Sequence, residues 1–270
     1  MIRYVLAFCF VLPTASLAAT QAELDALHDA LRTDELMTIL SEEGIAQSDD
    51  LRTDMFPNTG VAGWRLVVTS IYAPDKLDGL FRTAFNESLA DVDISPLLAF
   101  YDEGAGREIA TLELEARRAI SSDDVEEAAK RAYEDLSQSD SRRLDLLQEF
   151  AERNKLIDRN VAGALNANVA FFRGLSTSEA FELPEDQMLN DVWSREEEIR
   201  ADTEMWVFGY MTMAYQPIND EKLQSYVDLS GTDAGKALNR ALFAGFNALF
   251  DEVSFEIGAA AARFSIGDEL

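Results

Sequence analysis

The stretch from residue 238 to residue 264, LNRALFAGFNALFDEVSFEIGAAAARF, determines the fold class of this chain. Its large apolar side chains follow one another at steps of three or four residues. They are Leu238, Leu242, Phe246, Leu249, Val253, Ile257, Ala260 and Phe264. This spacing places them on one face of an α-helix over roughly seven turns. The stretch therefore predicts a long amphipathic helix near the end of the chain.

Helical spacing recurs along most of the chain. Apolar or small polar side chains keep the same steps at Val161, Leu165, Asn168, Phe172 and Leu175. Only residues 66–71, LVVTSI, are β-branched enough for a strand, and a lone strand would have nothing to pair with. We therefore predict a buried helix at 66–71 and an all-α fold, a multi-helix bundle of about ten helices.

Several helix starts are marked by capping residues. Thr20 and Glu23 have the spacing of a capping box, in which each side chain bonds to the backbone of the other residue. Ser48 and Asn219 are further candidates for the residue that precedes a helix.

Residues 1–18 have the features of a secretory signal peptide. Arg3 supplies a positive charge, Tyr4 to Leu12 form a short apolar run, and Ser16-Leu17-Ala18 fits the small-x-small cleavage pattern. The apolar run is much shorter than the roughly 20 residues of a membrane-spanning helix. We expect export, removal of the signal peptide, and no transmembrane segment in the mature chain.

The charge and the rare residue types exclude several classes of function. The chain has 50 acidic and 23 basic residues and a net charge of −27, which is unfavourable for binding nucleic acid. Its one cysteine, Cys9, lies in the signal peptide, and its one histidine, His28, is expected to be partly solvated. Paired Cys–His chemistry and Cys- or His-rich metal sites are therefore ruled out, and we expect no metal and no cofactor.

Carboxylates are the remaining candidates for chemistry. The densest runs are Asp91-Val92-Asp93 and Glu196-Glu197-Glu198. Neither run has the ligand spacing of a helix-loop-helix calcium site, and both are typical of a solvated helix face. The sequence thus offers no catalytic residue, and a non-enzymatic role is expected.

An internal repeat is visible at an offset of 129 residues. This offset aligns Ala105-Gly106-Arg107 with Ala234-Gly235-Lys236. In both copies a short amphipathic helix, a tight turn and a longer helix follow one another, and the glycine permits either a positive φ or a close approach of the two helices. We infer two related helical halves, residues 20–135 and 139–266.

The basic residues of the repeat lie where a helix begins. A cation is unfavourable at that end of the helix dipole, so an acidic partner is expected for Arg107 and Lys236. Asp102 and Asp233 are the nearest candidates, and a structural ion pair is the simplest interpretation.

Residues 97–107, LLAFYDEGAGR, resemble the hallmark of the bacterial domain-of-unknown-function 2059 family. Phe100, Tyr101, Gly106 and Arg107 match its Phe-Tyr pair and Gly-basic pair, whereas Glu103-Gly104 replaces its Ser-Pro turn. The second copy keeps only the Gly-basic pair. The resemblance implies an all-helical, signal-bearing envelope protein of a Gram-negative bacterium, located in the periplasm, and it supplies no catalytic residues.

Residues 205–215, MWVFGYMTMAY, form the most unusual segment of the mature chain. The segment is apolar all round, which is typical of a helix buried on several sides. A central core helix is one interpretation. A second is that Trp206, Phe208, Tyr210 and Met213 line an adaptable apolar pocket.

Three functions remain open from the sequence. The first is a non-enzymatic interaction with another, unidentified envelope component. The second is a carrier of a hydrophobic small molecule or lipid, which requires a cavity of at least ~300 Å³ beside the aromatic helix. The third is a cell-wall hydrolase, which requires a deep groove with a buried carboxylate at its floor.

Overall fold

A computed structural model of the chain describes residues 18–57, 61–102, 104–178, 181 and 184–267, so nearly all of the predicted signal peptide lies outside the described residues. The regular secondary structure in these ranges is entirely helical, which confirms the predicted all-α bundle. The helices in these ranges are α1 (Gln21–Leu31), α2 (Thr33–Met55), α3 (Val61–Ile71), α4 (Pro74–Leu89), α5 (Ser95–Asp102), α6 (Ala105–Ala119), α7 (Asp123–Ser137), α8 (Arg142–Asn154), α9 (Leu156–Leu175), α10 (Glu185–Trp193), α11 (Glu196–Ala214), α12 (Asp220–Gly231) and α13 (Asp233–Ser265).

The described ranges hold thirteen helices where about ten were expected, partly because two helices end at a single residue in the left-handed conformation. Arg32 separates α1 from α2, and Lys155 separates α8 from α9. Both residues adopt the left-handed conformation, with φ of 57° and 52°. Neither is a glycine, so the sequence carries no obvious mark of a break at these positions.

Two of the predicted helix starts are confirmed and one is wrong. The side chain of Thr20 accepts a hydrogen bond from the backbone of Glu23 and completes the capping box, and Asn219 caps α12. Ser48 instead lies inside α2 and is buried, and its hydroxyl donates to the carbonyl of Gly44 at 2.7 Å. That local bond satisfies the hydroxyl within the helix.

Residues 66–71 form part of α3, as predicted, but only one face of this helix is buried. Val68 and Ile71 are 1% and 6% exposed, whereas Leu66 is 75% exposed. None of the helices in the described ranges combines the length and apolar content needed to cross a bilayer.

The long helix α13 organises the bundle, and it packs most closely against α9. A Cβ atom on Gly174 of α9 would lie 2.1 Å from the carbonyl oxygen of Phe255, and one on Gly258 of α13 would lie 2.1 Å from that of Phe171. Only glycine allows the two backbones to approach this closely. The α4 helix packs along another part of α13, where Gly245 faces the ring of Phe81.

Two large hydrophobic cores and a small third cluster between α9 and α10 fill the bundle. The first core combines helices α1 to α5 with α13, and includes Trp64, Phe85 and Phe264. The second core combines α6, α8, α11 and α12, and includes Ile109 and Phe208. Both cores therefore draw on each of the two segments 20–135 and 139–266, and the segments do not form separate cores.

The two copies of the sequence repeat share one local geometry. A Cβ atom on Gly106 would lie 2.3 Å from the carbonyl oxygen of Phe100, and one on Gly235 would lie 2.0 Å from that of Leu229. Each glycine thus allows the start of a long helix to touch the end of the short helix before it. A common origin of the two halves stays a prediction.

Candidate functional site

A buried carboxyl group lies where α5, α6, α11 and α12 meet. It belongs to Glu113, which lies one helical turn after the buried Ile109 and therefore on the inward face of α6. This carboxyl is the centre of the candidate site. The apolar residues around it hold α6 against the second core.

Four tyrosines surround Glu113. The hydroxyl of Tyr215 donates to Oε1 of Glu113 at 2.6 Å, and that of Tyr210 donates to the backbone carbonyl of Glu113 at 2.8 Å. Tyr226 also hydrogen bonds to the carboxyl, and the hydroxyl of Tyr101 lies 3.4 Å from that of Tyr226. We call these five residues the Glu113 cluster.

The surroundings of Glu113 favour its neutral form. Burial raises the pKa of the carboxyl to about 7, although the hydrogen bonds from Tyr215 and Tyr226 oppose this rise by stabilising the anion. Burial and the neighbouring Glu113 also raise the pKa of both tyrosines well above 10, so their hydroxyls remain protonated and act as donors. Near neutral pH, Glu113 therefore exchanges readily between its protonated and ionised forms.

A cavity of about 580 Å³ adjoins the Glu113 cluster. It lies between α2, α4, α6, α9, α11 and α13, and its lining is mainly aromatic and aliphatic. The lining residues are Leu31, Thr33, Leu36, Leu40, Phe81, Tyr101, Ala110, Glu113, Leu114, Arg117, Arg159, Asn160, Gly163, Ala164, Ala167, Trp206, Tyr210, Tyr226, Leu242, Phe243, Phe246, Asn247 and Phe250. Asn160 and Phe250 are exposed, so the cavity reaches the protein surface.

A second lobe of about 270 Å³ continues from this cavity. Both lobes are lined by Glu113, Trp206, Tyr210 and Phe246, among other residues. The second lobe extends between α8, α11 and α12. We call the two lobes together the Glu113 cavity.

Two arginines line the larger lobe in different ways. Arg117 forms a two-pronged ion pair with Glu43, with one N–O distance of 2.7 Å, and lies 5.9 Å from the ring centre of Trp206. Arg159 lies 5.2 Å from the ring centre of Phe243 and forms no ion pair with any described residue. The cavity thus contains one neutralised and one unneutralised guanidinium.

The structure divides the four residues of the predicted apolar pocket into two pairs. Trp206 and Tyr210 line the Glu113 cavity, with their rings stacked at 5.3 Å. Phe208 stacks on Tyr133 at 4.8 Å, and Met213 packs against the second core. Helix geometry explains the position of Phe208, which lies two residues from Trp206 and from Tyr210, whereas Met213 shares the spacing of that pair and lies further along the helix.

The family-motif residues have mainly structural surroundings. Phe100 stacks on Tyr226 at 5.9 Å, and Tyr101 is 1% exposed and borders the cavity. The predicted ion pair of Arg107 with Asp102 is present at 3.5 Å, with both side chains largely exposed. Lys236 is exposed, and no ion pair to it is found among the described residues.

The acidic runs lie away from the cavity. Asp93 caps the backbone of Ser95 at 3.0 Å, and Glu196 pairs with Arg200 at 2.8 Å. Within the described ranges, no three His, Cys, Asp or Glu side chains come close enough together to hold a metal ion. Glu113, an isolated carboxylate, is the acidic residue that the sequence analysis missed.

The expected exposure of His28 is wrong. The ring is fully buried, with Nδ1 3.2 Å from the hydroxyl of Thr33 and Nε2 2.9 Å from Oδ1 of Asn86. Burial lowers the pKa of His28, so the ring is neutral at pH 7. The neutral ring donates through Nε2 to Asn86 and accepts through Nδ1 from Thr33.

No protein-family model, curated protein or solved structure matches this chain. The resemblance to the domain-of-unknown-function 2059 family therefore stays a prediction from residues 97–107. The candidate site is accordingly interpreted from its own geometry.

Proposed function

We propose that this protein is a non-enzymatic binder and carrier of a small hydrophobic or amphipathic molecule, which it holds in the Glu113 cavity. The supporting observation is the cavity itself. Its larger lobe of about 580 Å³ lies within the range of ~300–1,000 Å³ that is usual for small-molecule sites, and aromatic and aliphatic side chains form most of its lining. The volume also exceeds the ~300 Å³ that the carrier hypothesis requires.

The Glu113 cluster would give the ligand a preferred orientation. Apolar contact with Leu36, Leu242 and Phe246 supplies affinity without direction, because the hydrophobic effect is not directional. A ligand group that reaches Glu113 meets the only carboxyl among the described lining residues, beside hydroxyls that both donate and accept. A molecule with one polar end and an apolar body fits this arrangement best.

Residues 1–18 support a location in the periplasm, as does the resemblance in residues 97–107. Carriage of an apolar molecule between the two membranes would be a role consistent with both. Processing and location are tested by N-terminal sequencing of the protein recovered from the periplasmic fraction. A chain that retains Arg3 and stays with the cytoplasmic fraction would exclude the periplasmic assignment.

The carrier function is tested with native mass spectrometry and a neutral fluorescent probe. Protein purified from its own periplasm should have a higher mass under native than under denaturing conditions, by the mass of one small molecule. The emptied protein should bind 1-N-phenylnaphthylamine with a rise in fluorescence. Bare protein that also leaves the probe free in solution would reject the proposal.

A matched pair of variants locates the binding. Ala167 lines the cavity from α9, whereas Ala162 of the same helix is exposed. Ala167→Trp should fill part of the larger lobe and weaken probe binding at least tenfold, while Ala162→Trp should leave it unchanged. Equal affinity of the two variants would place the probe elsewhere on the protein.

A cell-wall hydrolase is the second candidate, and the raised pKa of Glu113 favours it. A general acid in glycoside hydrolysis needs a carboxyl that is still protonated near neutral pH. The apolar lining is less favourable, because a glycan chain presents many hydroxyls that require polar partners. The hydrolase candidate predicts release of muropeptides from peptidoglycan by the wild-type protein and not by Glu113→Gln, and an inactive wild-type protein would exclude it.

A further inference from the structure

We propose that the ligand of the Glu113 cavity is an anionic amphiphile with a carboxylate-type head group and an alkyl chain, and that Arg159 binds the head group. This inference rests on the proposed carrier function and specifies the chemistry of its ligand. The arrangement of charged side chains in the cavity supports this inference.

The two guanidiniums of the larger lobe differ in whether they can pair with a ligand. Arg117 is neutralised by the two-pronged contact with Glu43 and cannot pair with a ligand without losing that contact. Arg159 lies in the same lobe, is half-buried, and has no acidic partner among the described residues. The larger lobe therefore holds one cation that is available to a ligand.

The guanidinium of Arg159 is well suited to bind an anion. Arginine presents a planar fork of donors that matches a carboxylate and similar oxyanions. The guanidinium lies over the ring of Phe243, 5.2 Å from the ring centre, which stabilises its charge without supplying an acidic partner. The exposed Asn160 lies next in sequence and also lines the cavity, so this part of the lining adjoins the surface.

A ligand with a cationic head group fits the larger lobe poorly. The ring of Trp206, which a ligand cation could otherwise use, already has the guanidinium of Arg117 near it, and that of Phe243 has Arg159. An ammonium group in this lobe would meet two arginines and one carboxyl, that of Glu113, which already accepts hydrogen bonds from Tyr215 and Tyr226. The net charge of −27 opposes an anion only at long range, and salt screens that repulsion beyond about 8 Å at physiological ionic strength.

The apolar part of the larger lobe is suited to the alkyl chain of the ligand. Aromatic and aliphatic side chains from α2, α4 and α13 form the rest of the larger lobe, among them Leu36, Phe81 and Phe246. A chain that lies against them is removed from water, and each methylene should improve affinity about fourfold. Affinity should therefore rise with chain length until the cavity is full.

The test compares three twelve-carbon compounds that differ only in the head group. Dodecanoate, dodecanol and dodecylamine, each below the concentration at which it aggregates, compete with 1-N-phenylnaphthylamine for the wild-type protein at pH 6, where Glu113 is mainly protonated. Dodecanoate should bind about tenfold more tightly than dodecanol, which is the usual effect of one charge-assisted hydrogen bond. Decanoate should bind more weakly than dodecanoate.

Variants assign the preference to Arg159. In Arg159→Gln the advantage of dodecanoate over dodecanol should disappear, while dodecanol keeps its wild-type affinity. In Arg159→Lys part of the advantage should remain, because the charge is kept and the fork is lost. Arg142→Gln removes the same charge from an exposed position outside the cavity and should change neither affinity.

The outcomes separate this inference from the carrier function. Equal binding of dodecanoate and dodecanol, or tightest binding of dodecylamine, would overturn the anionic ligand and leave the carrier function in place. The same holds if Arg159→Gln, shown to be folded by its far-ultraviolet circular dichroism and melting curve, keeps the full preference for dodecanoate. Failure of the probe and of all three compounds to bind would reject both proposals.

Discussion

His28 is a fully buried titratable side chain and Glu113 a half-buried one, and their surroundings differ in packing. His28 lies in the first core between Phe81 and Phe85, with ring-centre distances of 6.0 and 4.7 Å, and both its ring nitrogens have partners. Glu113 also has hydrogen-bond partners, yet one side of its cluster adjoins a cavity of about 580 Å³. A polar group in a filled core contributes to the structure, whereas one beside an open cavity is also available to a ligand.

Because His28 lies in a filled core and Glu113 lies beside a cavity, the loss of a neighbouring side chain should lower stability by different amounts at the two places. Around His28 a lost side chain leaves a new void that the neighbours cannot fill. Around Glu113 a lost side chain only enlarges a void that is already present. Measurements of stability on the two sides should therefore separate a core from a binding site.

The largest effect is expected from truncation in the first core. Phe85 is completely buried, and Phe85→Ala should lower the free energy of unfolding by about 3–5 kcal/mol. Phe243→Ala removes the same ring from the lining of the Glu113 cavity and should cost only about 1 kcal/mol. Urea unfolding followed by circular dichroism measures both, and equal losses would show that the cavity lining is packed like the core.

The next effect is the dependence of stability on Glu113 and pH. The pKa of this acid is about 7 in the folded protein against an ordinary value of 4.5, so between these values only the folded state keeps the proton. Stability is therefore lost as the pH rises, by about 2–3 kcal/mol between pH 5 and pH 8. Glu113→Gln should not show this loss and should gain that amount relative to wild type over the same interval.

Glu115→Gln is the matched control for this measurement. Glu115 lies on the exposed face of the same helix, and its substitution also removes one negative charge from the chain. It should leave the difference between pH 5 and pH 8 close to that of wild type. Unfolding is measured at and above pH 5 because the isoelectric point is near 4.2. A pH profile of Glu113→Gln parallel to that of wild type would contradict the raised pKa.

His28 should show the opposite sign on acidification. Its folded pKa is lowered from the ordinary 6.5, so as the pH falls through 6.5 the unfolded chain takes up a proton that the folded protein refuses. Wild type therefore loses stability through this group on the acid side, and His28→Gln should not. At pH 7 the same variant should be about 1–2 kcal/mol less stable, since the bonds to Thr33 and Asn86 are disturbed. Equal acid-side slopes would contradict the buried neutral ring.

The same two residues show what the sequence could predict. Helical spacing was sufficient for the fold class, because one face of each helix must be apolar. His28 was misjudged because one of its partners, Asn86, lies 58 residues away on another helix, and local patterns carry no such contact. Glu113 did leave a signal, since it follows Ile109 by four residues on an otherwise apolar face, but a single acidic residue is a weaker pattern than a dense acidic run.

The predicted pocket residues show the same limit. The aromatic segment 205–215 was recognised as unusual, and its residues Trp206 and Tyr210 do line the cavity. The opposite wall comes from α13, whose Leu242 and Phe246 belong to a stripe that is typical of an ordinary core helix. Only the tertiary arrangement shows that the stripe faces a void at these positions and a filled core nearer the helix end, at Phe264.

The smallest effect is expected at the two left-handed helix breaks, one in each region. Arg32 joins the helices beside His28, and Lys155 joins α8 to α9 beside the cavity, both in the left-handed conformation. A side chain in this conformation costs roughly 1–2 kcal/mol, and glycine avoids that cost. Lys155→Gly should therefore raise the free energy of unfolding by about 1 kcal/mol in urea, because the exposed lysine forms no ion pair with a described residue.

Two further variants show whether backbone conformation is the cause. Lys155→Ala keeps a Cβ atom and should give little or none of the gain, so an equal gain from alanine would point to the lost charge instead. Arg32→Gly should gain less than Lys155→Gly, since Arg32 also pairs with Glu35 at 2.9 Å. That ion pair is largely solvated and contributes up to about 1 kcal/mol, enough to offset much of the relieved strain. The difference between the two glycine variants therefore measures the Arg32–Glu35 ion pair against a break of the same geometry.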